Sequence, residues 1–188
     1  MRCFIAIDLP DRVKSELVGL QNELKASGAQ VKWTEAPNIH LTLKFLGEIN
    51  EGIAQEISRL LKNISENTTC FKMDIKSIGV FPKPNFPRII WVGVNKGDKE
   101  IKDLVRSIED GVEKIGIAKE EREFSSHITI GRVKSTLNKD KLVNALKALE
   151  NKPINAEFLV DRITLFKSSL TSQGPVYEAL TKVNLKTT

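Results

Sequence analysis

A chain of 188 residues, 40% apolar and 28% charged, is long enough for one domain with a sizeable core or two small lobes sharing one. It has no apolar run near the roughly 20 residues of a membrane-spanning helix. Its two cysteines, Cys3 and Cys70, give no disulfide framework and no metal-ligand spacing, and are expected to be buried free thiols in a reducing compartment. A formal net charge of +5 favours anionic partners, but the lysines are spread through helical segments and form no dense tract.

The opening MRCFIAIDLPDR reads as a first strand and a helix start, not as a secretory leader, so a cytoplasmic location is expected. The helix carries Val13, Leu17, Leu20 and Leu24 at helical spacing and runs out at Gly28, suited to a left-handed cap. HLTLKFLG, residues 40–47, alternates like a strand. A second helix begins near Asn50, a suitable N-cap, and uses Ile53, Ile57, Leu60, Leu61 and Ile64. CFKMDIKSIGVF reads as the next strand. PKPNFP, with prolines at 82, 84 and 87, cannot continue a central strand and is read as the connection between lobes. RIIWVGV follows as a strand. Ile101, Leu104, Val105, Ile108 and Val112 mark a third helix that ends at Gly116. HITIGR, residues 127–132, is a strand. A fourth helix starts near Asn138 and uses Leu142, Val143, Leu146 and Leu149. AEFLVDRITLFKS and VYEALTKVNL close the chain as strands.

The order is written twice. The chain has two histidines, and each heads His-apolar-Thr-apolar, 87 residues apart. The same offset lays Phe4, Ile5 and Ile7 on Trp91, Val92 and Val94, Phe71 on Phe158, and Asp74 on Asp161. Residues 1–188 are therefore read as a single bilobal domain with repeat units of about 1–86 and 87–188. Two copies packed about an approximate two-fold axis would set the His-x-Thr-x strands on opposite walls of one cleft. In a strand, His40 and Thr42 share a face and Leu41 and Leu43 take the other; His127 and Thr129 oppose Ile128 and Ile130 in the same way.

Two imidazoles and two hydroxyls around one volume suit phosphodiester chemistry. A histidine, with an ordinary pKa of about 6.5, serves near neutral pH as the base that activates water or as the acid that protonates a leaving oxygen. Threonine hydroxyls can hold the non-bridging oxygens. Zinc sites want three or four ligands, and the chain offers no further histidine and no spaced cysteines. No G-x-S-x-G, Walker A or G-x-G-x-x-G run is present. The residues alone leave open which histidine is acid and which is base.

HLTL and HITI at this separation resemble the two motifs of the two-histidine phosphoesterases. VKWTEAPNIHLTLKFLGE, the PRIIWVGV strand and HITIGR are similar to the RNA 2′,3′-cyclic phosphodiesterases, also called 2′–5′ RNA ligases. The resemblance implies an α+β fold of two similar lobes, each an antiparallel sheet with outer helices, around a central cleft. It implies an RNA end bearing a 2′,3′-cyclic phosphate as partner, opened to a 2′-phosphomonoester, with no metal or nucleotide cofactor. His40 would donate the proton to the departing 3′ oxygen, His127 would accept a proton from water, and Thr42 and Thr129 would hold phosphate oxygens. Arg132 is similar to an arginine that the family places near the phosphate, although strict alternation puts it on the wrong face unless a bulge at Gly131 re-aims it. Lys44 continues the face of His40 and Thr42 and would lend charge to the cleft, or else be a solvated strand lysine. Phe81, Phe86 and Trp91 are candidates to stack a base, although Trp91, in an apolar strand, is read in preference as core, and Trp33 as packing. A monomer is expected, since one chain supplies both motifs. Ligation by the reverse reaction and a non-catalytic RNA-binding module are the competing functions.

Overall fold

The computed structural model describes residues 1–154, 156–172 and 174–187. In chain order the elements are β1 (Arg2–Asp8), α1 (Asp11–Lys25), β2 (Val31–Trp33), a short 3₁₀ turn (Ala36–Asn38), β3 (His40–Glu48), α2 (Glu51–Glu66), β4 (Phe71–Met73), β5 (Ile75–Lys83), β6 (Phe86–Val94), α3 (Asp98–Glu113), β7 (His127–Val133), α4 (Lys139–Leu149), β8 (Phe158–Val160), β9 (Arg162–Thr171) and β10 (Gly174–Asn184). One sheet has the strand order β10-β9-β1-β3 and a second β2-β7-β6-β5; β4 and β8 form a small ribbon. All the strand pairings within the sheets are antiparallel.

The helices form where the apolar spacing puts one stripe inward. Val13, Leu17 and Leu24 of α1, Ile57 and Leu61 of α2, and Ile101, Ile108 and Val112 of α3 are fully buried. Burying one such aliphatic side chain contributes about 1.5–3 kcal/mol. The expected glycine stops hold: Gly28 and Gly116 have φ of 67° and 87°, where a Cβ would strain the backbone. The two asparagine starts differ. The Asn50 side chain accepts from Ile53 N at 2.9 Å. Asn138 has φ 54°, makes no side-chain cap, and its amide donates to the Gly28 carbonyl at 3.0 Å. Its left-handed backbone turns the side chain away from its own helix.

The halves of the chain interleave. β5, from the first half, pairs with β6, and β9, from the second, pairs with β1. Each expected long strand breaks at an aspartate, Asp74 or Asp161, so that its first part joins the central ribbon and its second crosses to the other lobe. The ribbon marks the approximate two-fold axis: Lys72 pairs with Leu159, its own counterpart 87 residues on, while Phe71 pairs with Val160 and Met73 with Phe158. The proline-rich PKPNFP is a hairpin within one sheet, with Pro82 opposite Pro87 and the turn at Pro84 and Asn85, and not the expected link between lobes. Pro82 is tolerated because β5 is the outer strand of its sheet, and Pro87 because it precedes the part of β6 that pairs with β7. β3 and β7 lie against each other where the two sheets meet, which brings the motif strands together.

Candidate active site

Along β3, Leu41 and Leu43 are buried and His40 and Thr42 are partly exposed, as alternation requires. The alternation then breaks. Ala6 pairs with Thr42 and Ile5 with Lys44, which leaves Leu43 without a partner on β1. This is a β-bulge, and it turns over the residues that follow, Lys44 and Phe45, up to a second register shift at Leu46. Lys44 therefore leaves the His40 face. Its side chain is 1% exposed and its ammonium donates to the Ala118 carbonyl at 2.8 Å, with Glu109 at 3.0 Å and Glu120 at 3.6 Å. It is neither a cleft cation nor a solvated lysine. Phe45 takes its place on the Thr42 face, 60% exposed, with its ring centroid 6.4 Å from that of Phe4.

The second motif repeats the device. Trp91 pairs with Thr129 and Ile90 with Gly131, so Ile130 is the unpartnered residue. Arg132 is thereby rotated onto the face of His127 and Thr129 and is exposed. It comes close enough to Tyr177, on the other sheet, for its charge to act on the phenol.

Both imidazoles are held the same way. His40 Nδ1 donates to the carbonyl of Asn38 and His127 Nδ1 to that of Ser125, each at 2.7 Å and each two residues upstream. A carbonyl only accepts, so Nδ1 carries the hydrogen and Nε2 is left as the atom that gains or loses a proton. His40 Nε2 lies 2.9 Å from Thr42 Oγ1. Phe4 stacks on the His40 ring at 4.8 Å, and Tyr177 meets it edge-on at 5.4 Å. Around His127 the neighbours are Phe81 at 5.2 Å and Trp91 at 6.4 Å. A cavity of about 420 Å³ opens beside His40, lined in part by Asp8, Glu35, Asn38, Tyr177 and Lys182.

The sequence pattern of the family described as LigT like Phosphoesterase matches the chain twice, over residues 7–91 and 92–177. The chain belongs to this family. A Methanocaldococcus jannaschii protein named RNA 2′,3′-cyclic phosphodiesterase is 37% identical over 180 residues, 96% of this chain and 98% of the relative. One of the same name from Methanothermobacter thermautotrophicus is 35% identical over 94% of this chain and 95% of the relative. Among solved structures, TT0787 of Thermus thermophilus superimposes with a TM-score of 0.82 at 27% identity, covering 98% of each chain. The apo form of E. coli LigT shares the fold, with a TM-score of 0.79 at 24% identity over 98% of this chain and 97% of that one.

Within this LigT-like frame the surroundings of His40 act on its charge. Burial holds the His40 imidazole below its ordinary value, opposed by its bond to the Asn38 carbonyl and by the Asp8 carboxylate, while the Lys14 ammonium pushes the same way as burial. Asp8 is paired across the strands with His40 and bonds Lys14 at 2.8 Å. Burial raises the Tyr177 phenol, and the Arg132 and Arg2 guanidinium groups partly offset this. Among the described residues no group of three or more His, Cys, Asp or Glu side chains is arranged to hold a metal ion.

Of the aromatic candidates, Phe81 and Trp91 reach His127. Trp91 is not part of the apolar core that its neighbours Ile90 and Val92 form on the opposite face. Its indole lies over Gly79 and Gly93, where a Cβ would come within 2.4 Å and 3.1 Å of the ring. Phe86, 39% exposed, lies at the hairpin end opposite Lys83, beyond a register shift that leaves Arg88 unpartnered, and packs under the Arg88 guanidinium at 5.0 Å. Trp33 sits on β2 opposite Gly131 and is packing. Three residues around the site had no place in the sequence reading. Phe4 had a signal, since the repeat offset sets it on Trp91. Phe45 and Tyr177 had none, because one depends on the bulge and the other on β9 and β10 crossing to the first sheet.

Proposed function

We propose that this chain hydrolyses RNA ends carrying a 2′,3′-cyclic phosphate to 2′-phosphomonoesters, by acid–base catalysis between His40 and His127 without a metal ion. The observation that carries the proposal is the mirrored pair of Nδ1–H bonds to the Asn38 and Ser125 carbonyls, which leaves two Nε2 atoms as the groups that exchange protons. The names borne by relatives 35% and 37% identical over nearly the whole chain support the substrate class.

With the cyclic phosphate between the motif strands, His127 Nε2 takes a proton from the attacking water as its oxygen bonds phosphorus. His40 Nε2–H gives a proton to the 3′ oxygen as the P–O3′ bond breaks. The family resemblance assigns these two roles. Burial disfavours an imidazolium at His40 in the free protein, so the negative charge of the bound phosphodiester is what loads the acid. Thr42, Thr129 and Arg132 supply donors to the non-bridging oxygens, and the Arg132 fork suits a phosphate. Phe45, Phe81 and Trp91 offer ring faces to a base. One copy of the chain holds both motifs, which supports action as a monomer.

The test is an oligoribonucleotide ending in a 2′,3′-cyclic phosphate, incubated with excess chelator, with the product's phosphate position determined. Wild type should open the ring to the 2′-phosphate. His40→Ala and His127→Ala should each lose about 10²–10⁴ in kcat. Failure of wild type in chelator, with recovery on adding a divalent ion, would overturn the metal-free mechanism.

A further inference from the structure

Lys44 lies outside the proposed chemistry, yet it is a buried charge, and such a group is retained only where partners compensate it. The repeat shows what it replaces. The residue 87 positions later is Gly131, where a Cβ would meet Val31 Cγ1 at 2.8 Å and Trp33 at 2.9 Å. That space is filled by β2, which is laddered onto β7 with Val31 opposite Val133 and Trp33 opposite Gly131. The stretch of the second half that corresponds to β2 is Ala118–Glu120, and it forms no strand against β3. Lys44 reaches it instead, bonding the Ala118 carbonyl and facing Glu120 and Glu109. One side chain does on the first-motif strand what a three-residue ladder does on the second.

This stretch leads directly to Ser125, whose carbonyl holds the Nδ1 hydrogen of His127. Its other polar fastenings run to α3: Ile117 N to the Val112 carbonyl, Lys119 to Asp110 and Glu113, and Glu120 N to Glu109. Among the described residues, Lys44 supplies the polar links that tie it to β3, two positions from Thr42. We propose that Lys44 is a positioning residue for His127: by docking Ala118–Glu120 onto the first-motif strand it sets the second imidazole relative to the first.

The chain's two histidines make the test direct, because imidazole ¹⁵N spectra contain two rings only. In Lys44→Met the His127 ring should lose its fixed Nδ1–H tautomer while the His40 signals stay in place. On the cyclic-phosphate substrate kcat should fall about tenfold or more, with KM within about threefold, since misplacement of a reacting group by about 1 Å can reduce rate 10²-fold. Lys44→Met/Glu109→Met, which removes both charges of the pair, should recover the wild-type Tm without recovering the His127 tautomer or kcat, and it is the variant to use if Lys44→Met does not fold. Wild-type His127 signals in these variants would overturn the inference. Only the kinetic arm rests on the proposed reaction: an inactive wild type would sink that reading and leave the imidazole spectra to decide this one.

Discussion

Leu43 has no partner on β1 and Ile130 none on β6, each three residues after a motif histidine, and each turns over the two residues that follow. The two bulges put Phe45 on one wall of the site and Arg132 on the other, at equivalent positions of the repeat. Duplication alone would make the walls alike. The bulges place an aromatic face opposite a guanidinium, so the site is symmetric in its histidines and asymmetric in what surrounds them.

Arg132→Ala should reduce kcat/KM for a cyclic-ended oligonucleotide about 10- to 100-fold, the worth of a charged hydrogen bond of about 1.5–3 kcal/mol. Arg132→Lys should recover only part of this, because an ammonium lacks the planar fork. Equal activity of the lysine variant and wild type would mean that Arg132 supplies charge without geometry.

The depressed His40 value gives a pH dependence with a definite sign. In the free protein the imidazolium is disfavoured by burial, so the unfolded chain, with an ordinary pKa of about 6.5, binds the proton more readily. This contribution to stability is fully present above about pH 6.5 and is lost as pH falls through the folded value. Tm of wild type should therefore decline below about pH 6.5 more steeply than Tm of His40→Gln. Parallel Tm curves would remove His40 from the account.

The same shift predicts a difference between two kinetic profiles. The alkaline limb of kcat/KM, which reports the free enzyme, should lie below about pH 6.5, and that of kcat, with the anionic phosphate bound, should lie higher. Coincident limbs would argue against His40 as the acid loaded by its substrate.

Gly79→Ala places a methyl 2.4 Å from the Trp91 ring, so the indole must move. Overpacking of this kind typically destabilises by about 1–3 kcal/mol. Trp91 lies 5.1 Å from Phe81 and 6.4 Å from His127, so KM should also rise. Near-ultraviolet circular dichroism and steady-state kinetics check the two effects together; an unchanged KM with a displaced indole would exclude Trp91 from substrate contact.

Leu41 is fully buried behind His40. Leu41→Ala should lower stability by about 2–5 kcal/mol through the cavity it leaves. Chemical denaturation measures this, and a loss under 1 kcal/mol would mean that β3 is anchored elsewhere.

The local grammar of this protein is legible in the chain alone. Helical spacing, glycine stops and strand alternation each depend on a few neighbouring residues, and together with the 87-residue repeat they place His40, Thr42, His127 and Thr129 on matching faces. What lies beyond those four residues is settled by long-range pairing. Whether Lys44 or Phe45 faces the site depends on whether β1 leaves Leu43 unpaired, and for Arg132 the same question rests on β6. Tyr177 reaches His40 only because β9 and β10 cross to the sheet of β1. Pairing register is a property of two strands at once, and a one-residue slip sends every later side chain to the opposite face.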